Sequence, residues 1–178
     1  MHQPARLFPL LQKTPMATLI CGSLAFDTIM SFEGRFEEQI LPGQLHILNV
    51  SFLVPALRRD YGGCAGNIAH AMKQLGGAPL PMGTVGEHDG QDYLERLHAQ
   101  GISTEFVLPV SGAYTAQAMI VTDRDNNQIT AFHPGAMSSA HVNRIHARSD
   151  IRLGVISPDG REAMLEHAEQ FHAAGIPF

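Results

Sequence analysis

The sequence predicts an α/β fold with a mostly parallel sheet and a second, smaller sheet beside it. Three observations carry this. Short apolar runs alternate with segments of helical period, as strand–helix–strand units require. Glycines punctuate the ends of those units, as in Gly22-Ser23 and Gly76-Gly77. Residues 29 to 54 break the alternation with short β-prone pieces split by Gly34, Pro42 and Gly43.

The elements follow in order. Residues 1 to 15, MHQPARLFPLLQKTP, read as a disordered tail; Pro9 and Pro15 interrupt a short apolar run, and no signal-peptide cleavage site follows. The folded part is expected over 16 to 178. Thr18 to Cys21 reads as a buried strand. The pieces between 29 and 54 suggest a small sheet. Asn67 to Leu75 reads as a helix with Ile68, Met72 and Leu75 on one face, closed by glycine. Leu80 to Val85 is a strand, and Gln91 to Gln100 a helix with Tyr93, Leu94 and Leu97 inward. Tyr114 to Thr122 and Gln128 to Phe132 flank the polar turn DRDNN and form a hairpin near 115–132. Ile151 to Ile156 is a further strand, and Pro158 to Ala174 a helix with Ala163, Met164, His167 and Phe171 on one face. At GIPF another buried strand is expected to begin.

Composition narrows the function classes. Twelve basic residues stand against 17 acidic ones, with no basic block, which argues against nucleic acid or an anionic membrane surface as partner. Cys21 and Cys64 make no disulfide framework, which points to the reduced cytoplasm. The ten histidines show no zinc-type spacing, so no metal site is read from them.

The most informative stretch is YGGCAGNIAHAMKQLGG, residues 61 to 77, with Gly62, Gly63 and Gly66 crowded at a helix entrance. Glycine permits positive φ and close approach of another molecule. Free N–H groups at a helix start suit an oxygen-rich ligand. A plain turn that starts a helix accounts for the same residues. No Gly-Lys-Ser/Thr follows and no GxGxxG is present, so phosphate-loop and dinucleotide readings fail.

The run from Gly62 to Asn67, with Ala69, Gly76 and Gly86 at their spacings, resembles the N-terminal signature of the ribokinase-like (PfkB) carbohydrate and nucleoside kinases. GSLAFD, residues 22 to 27, is similar to the family's first-strand turn, which ends in a substrate-binding aspartate. GRFEEQILPGQLHILNVSFLV and ITAFHPGAM look most like bacterial adenosine kinases. The resemblance implies a three-layer fold with a small β-sheet lid, formed largely by 29–54 and the 115–132 hairpin, and with the C-terminal half of the family's fold absent. It implies an adenosine kinase that transfers phosphate from ATP to the ribose 5′-hydroxyl; a ribokinase- or fructokinase-like sugar kinase is the alternative.

By the same resemblance, Asp27 accepts hydrogen bonds from the ribose hydroxyls. Gly62 and Gly63 set bare backbone against the sugar, and Asn67 adds an amide. Ser23 lies at the strand end near the nucleoside, Ser51 and Phe52 fall in the lid, and Phe132 faces the adenine. Without the resemblance, Asp27 reads as a turn residue or helix cap, Asn67 as an N-cap and Phe132 as core. The family's catalytic aspartate sits in a Gly-Ala-Gly-Asp-like motif that does not occur here, and its ATP and Mg2+ site belongs to the same missing half. The chain is therefore expected to bind a small nucleoside or sugar and to be inactive alone. A non-catalytic nucleoside-binding fragment is the competing class, and an assembly element that homodimerises through the lid is a third.

Overall fold

The computed structural model describes residues 16–178; the tail assigned to 1–15 lies outside them. Two faces of one strand organise the main layer. In β1 (Ala17–Cys21), Leu19 and Cys21 point to one side and Ile20 to the other, and all three are buried. A strand buried on both faces belongs in the middle of a parallel sheet. β1 pairs in parallel with β4 (Pro79–Gly86) and β8 (Ile151–Ile156), and β4 with β5 (Phe106–Val110), giving the order β5-β4-β1-β8. Ile20 and Val85 pack with Ala65 and Ala69 of α2 (Cys64–Gln74) and Tyr93 and Leu97 of α3 (Gly90–Ala99). Leu19, Cys21 and Met82 pack on the opposite side with Phe171 of α4 (Arg161–Ala173). Three layers result, as the resemblance implies.

The second sheet has the order β3-β2-β6-β7 and is formed by β2 (Ala25–Ser31), β3 (Ala56–Gly62), β6 (Ala116–Thr122) and β7 (Gln128–His133). β6 and β7 are the expected hairpin. Its turn is fixed by Asn126 at φ 62° and by the Asp123 carboxylate, which accepts from the N–H groups of Asp125 and Asn127.

The small sheet expected across 29–54 is not there. Past Ser31 the chain forms the short helix α1 (Phe36–Gln39) and a 3-10 segment, Pro42–Ile47. The cause is local. The rings of Phe32, Phe36 and Phe52 pack on one another with centroids 5.0–6.0 Å apart, so these apolar residues fill a private cluster rather than a ladder. Asp123 Oδ2 ties the cluster to the hairpin by accepting from Phe36 N at 3.0 Å. The sheet takes its second strand from 56–62, whose charged ALRRDYG disguised it. Leu75 also departs from expectation. It caps α2 and is 88% exposed, because the helix ends one residue earlier.

His167 is fully buried on α4, with Nε2 3.3 Å from the Asn143 carbonyl and Nδ1 without a partner. Burial holds its pKa below the ordinary imidazole value. A group depressed in the folded state gives stability that is present above the unfolded value, about 6.5, and lost as pH falls through the folded one. Urea melts should therefore weaken progressively below pH 6.5. His167→Leu should flatten that acid limb; an unchanged limb contradicts the assignment.

Candidate functional site

The site begins where β1 ends. Ser23 lies between β1 and β2, and its three polar backbone and side-chain groups are all engaged. Its N–H donates to Pro158 O at 3.1 Å, its carbonyl accepts from Ala65 N at 3.0 Å, and its Oγ accepts from Cys64 N at 3.0 Å. Ser23 thus satisfies free N–H groups at the start of α2. It anchors the glycine loop, while its hydroxyl hydrogen has no acceptor among the described residues.

Gly63 is the N-cap of α2 at φ 88°. A Cβ there would lie 2.5–2.8 Å from the backbone of Ser23, Leu24 and Ala25. Gly62 is bare for a different reason. A Cβ on it would lie 2.3 Å from Oδ2 of Asp27, so the carboxylate rests directly over the Gly62 backbone. Glycine is needed here for chain-to-chain approach, before any sugar is considered.

Asp27 is neither a turn residue nor a cap. It sits within β2, half-buried and opposite Asp60 of β3. No hydrogen-bond donor among the described residues reaches its carboxylate, whereas Asp60 is paired with Arg58 Nε at 3.0 Å. Burial, reinforced by the charge of Asp60, raises the pKa of Asp27. A half-buried carboxylate with no protein donor among the described residues, resting on bare backbone, is free to accept from a ligand that brings hydroxyl groups.

Strand register extends the site. Asp27 aligns with Ala118 of β6, and Ala118 with Phe132 of β7. All three share one sheet face. With strands about 4.8 Å apart, carboxylate and ring stand about 10 Å from each other across a small alanine shelf. Phe132 is 53% exposed, not the core residue its composition alone suggests. The same face continues into a hollow of about 510 Å³ lined by Ile29, Ser31, Arg58, Thr122 and Gln128, within the usual size range of small-molecule sites.

The remaining expected residues are placed less closely. Asn67 lies in the first helical turn, four residues past the N-cap, so it is not the cap itself. Its N–H donates to Gly63 O, and its exposed side chain has no protein partner among the described residues. Ser51 is exposed and forms no hydrogen bond there. Phe52 belongs to the Phe32–Phe36 cluster and fixes the segment before β3.

Sequence reading missed Asp60, Arg58 and the hydroxyl of Tyr93. The first two had a signal in the period-2 pattern of Arg58, Asp60 and Gly62, masked by their charge. Tyr93 read as inward, but its oxygen donates to Gly62 O at 2.6 Å, which no spacing reveals. A group of three His, Cys, Asp or Glu side chains able to hold a metal is absent among the described residues.

A parallel α/β layer with a second small sheet is the architecture of a ribokinase-like fold. The chain belongs to the pfkB family of carbohydrate kinases, whose model matches residues 35–175. It is 33% identical over 119 residues to a nucleoside kinase of Methanothermobacter thermautotrophicus, covering 66% of this chain and 35% of that protein. The solved nucleoside kinase of Burkholderia thailandensis in complex with inosine is 55% identical, with a TM-score of 0.78 over 90% of this chain and 51% of that one. The Methanocaldococcus jannaschii nucleoside kinase, a ribokinase-family member, is 27% identical, with a TM-score of 0.72 over 87% and 48%. The chain thus spans about half the length of these structures and about a third of the Methanothermobacter relative.

Proposed function

We propose that this chain forms the nucleoside-binding part of an ATP-dependent kinase that phosphorylates the ribose 5′-hydroxyl of adenosine. The observation that carries the reading is Asp27, an acceptor without a donor, in register with the exposed ring of Phe132. Asp27 accepts from the 2′- and 3′-hydroxyls, Asn67 adds its amide to the sugar, and Phe132 gives the base an aromatic face. Ser23 holds the loop in place. Ser51 and Phe52 belong to the lid, which the second sheet supplies. The Burkholderia relative's complex with inosine supports a nucleoside rather than a free sugar.

ATP with Mg2+ would supply the transferable phosphoryl group. The glycine loop does not fit it: Asp27 fills the space over Gly62, and the backbone of Ser23 to Ala25 closes the space over Gly63. No step is assigned to the described residues beyond binding and orienting the nucleoside. Phosphoryl transfer needs positioning and charge stabilisation, and the 178-residue chain should show no turnover of adenosine and ATP. Release of ADP by purified, monodisperse chain would overturn this. The reduced cytoplasm is the proposed compartment; among the described residues no helix is long and apolar enough to cross a membrane.

Calorimetry with adenosine, inosine, ribose and fructose tests the substrate class. Adenosine should bind at least tenfold more tightly than ribose. Phe132→Ala should lower adenosine affinity about two- to tenfold, the worth of one aromatic contact, and leave ribose unchanged. Tighter binding of ribose or fructose than of any nucleoside would favour the sugar-kinase reading.

Two copies should associate through the second sheet. Its β3 and β7 edges are open, and Leu41, Leu45, Ile47, Leu48 and Leu53 are all more than half exposed, an apolar surface of the kind that marks an interface. Light scattering should give a dimer at micromolar concentration; a clean monomer contradicts it.

A further inference from the structure

The groove between α2 and α3 holds a second arrangement that the nucleoside site does not use. It is a cavity of about 210 Å³ walled by Tyr61, Asn67, His70, Tyr93, Arg96 and Gln100. No carboxylate lines it, although the chain as a whole carries a net charge of −5. Arg96 is its only fixed cation. The guanidinium stands 5.6 Å over the Tyr61 ring. With the Gln100 amide oxygen turned towards it, Nε and Nη2 donate at 2.8 and 3.0 Å. That oxygen leaves Nη1 without a protein partner, and Arg96 joins no ion pair among the described residues. The exposed arginines of β3 behave differently: Arg58 is paired with Asp60, and Arg59 with Asp89 and Asp92.

Polar groups converge here. In the same orientation the Gln100 amide nitrogen donates to His70 Nδ1 at 3.1 Å, so Nδ1 accepts and the ring N–H is carried by Nε2, on the same helix face as Asn67, whose side chain lines the groove without a protein partner among the described residues. A rigid guanidinium flanked by an imidazole and amides, in a cavity that no carboxylate lines, matches an oxyanion. The cavity is smaller than sites that enclose a whole drug-sized ligand, so it suits a single anionic group. We propose that this groove is a binding site for a small oxyanion, a phosphate or carboxylate group, anchored by Arg96. Asn67 is shared with the nucleoside cradle, but the anion site itself does not depend on that reading.

The test is calorimetric titration of the 178-residue chain with inorganic phosphate, and separately with acetate, at constant ionic strength. Saturable one-site binding is expected for at least one of them, and the tighter of the two names the source. Arg96→Ala should weaken it at least tenfold. Gln100→Leu, which keeps the cation but frees it from its holder, should weaken it several-fold. Adenosine titrations on the same samples keep the two sites apart, since loss of nucleoside binding alone would bear only on the cradle. Absence of saturation with both anions, or equal affinity of wild type and a folded Arg96→Ala chain, overturns the proposal. Arg96 is exposed, so circular dichroism of that variant should match wild type.

Discussion

Gly63→Val should destabilise the folded chain by about 2–6 kcal/mol. A side chain there would bring its first carbon within 2.5 Å of Ser23 O, 2.7 Å of Ala25 N and 2.8 Å of Leu24 Cα. These are backbone atoms that no rotamer change can move. The residue also stands at φ 88°, which a β-branched side chain rarely adopts. Overpacking costs about 1–3 kcal/mol and the backbone strain a further ~1–3 kcal/mol, against a total stability of about 5–15 kcal/mol for a domain. The clash falls where Ser23 holds the start of α2, so its relief would release the helix and the loop together. Urea melts followed by circular dichroism check this. A Gly63→Val chain as stable as wild type that has only lost ligand affinity would show that the glycine serves the ligand, not the chain.

Asp27→Asn should have the opposite effect on the empty protein: at neutral pH it should melt higher than wild type. Burial and then the charge of Asp60 raise the pKa of Asp27. For a carboxylate raised in the folded state, the favourable term is full below the unfolded value, about 3.9, and is lost as pH rises through the folded one. At pH 7 the carboxylate therefore opposes folding, and a neutral amide of the same shape removes that opposition. The gain should fade towards pH 4. A variant that melts lower than wild type at pH 7 would mean that Asp27 has a structural partner. Strain kept at a site despite its cost to stability is a sign of use.

Much of the main layer was legible because its physics is local. β1 and β4 are apolar runs buried on both faces, β8 is an edge strand that keeps Ile151 and Gly154 buried, and Ala163, His167 and Phe171 recur at helical spacing on α4. The hairpin was legible because DRDNN offers both the carboxylate and the asparagine that its turn uses. The second sheet was not, since its strands are half-solvated. β3 shows six exposed residues in a row, so nothing marks it as a strand except its partners. β5 escaped for a similar reason, as an edge strand carrying Pro109. The aromatic residues that suggested strands in 29–54 found one another instead. At the site, Asp27, Gly62 and Gly63 could be named from the resemblance, but the reason for the glycines could not. That reason lies in contacts across 35 or more positions of sequence between Gly62 and Asp27, which only the folded chain brings together.

The central claim is that Asp27 is an acceptor waiting for the hydroxyls of a ribose. Calorimetric titration of adenosine into the wild-type and Asp27→Asn chains at pH 7 tests it most directly. A lost hydrogen bond to a charged group is worth about 1.5–3 kcal/mol. The variant should therefore bind roughly ten- to a hundredfold more weakly, while its melting temperature stays at or above that of wild type. Equal adenosine affinity in the two proteins would contradict the account.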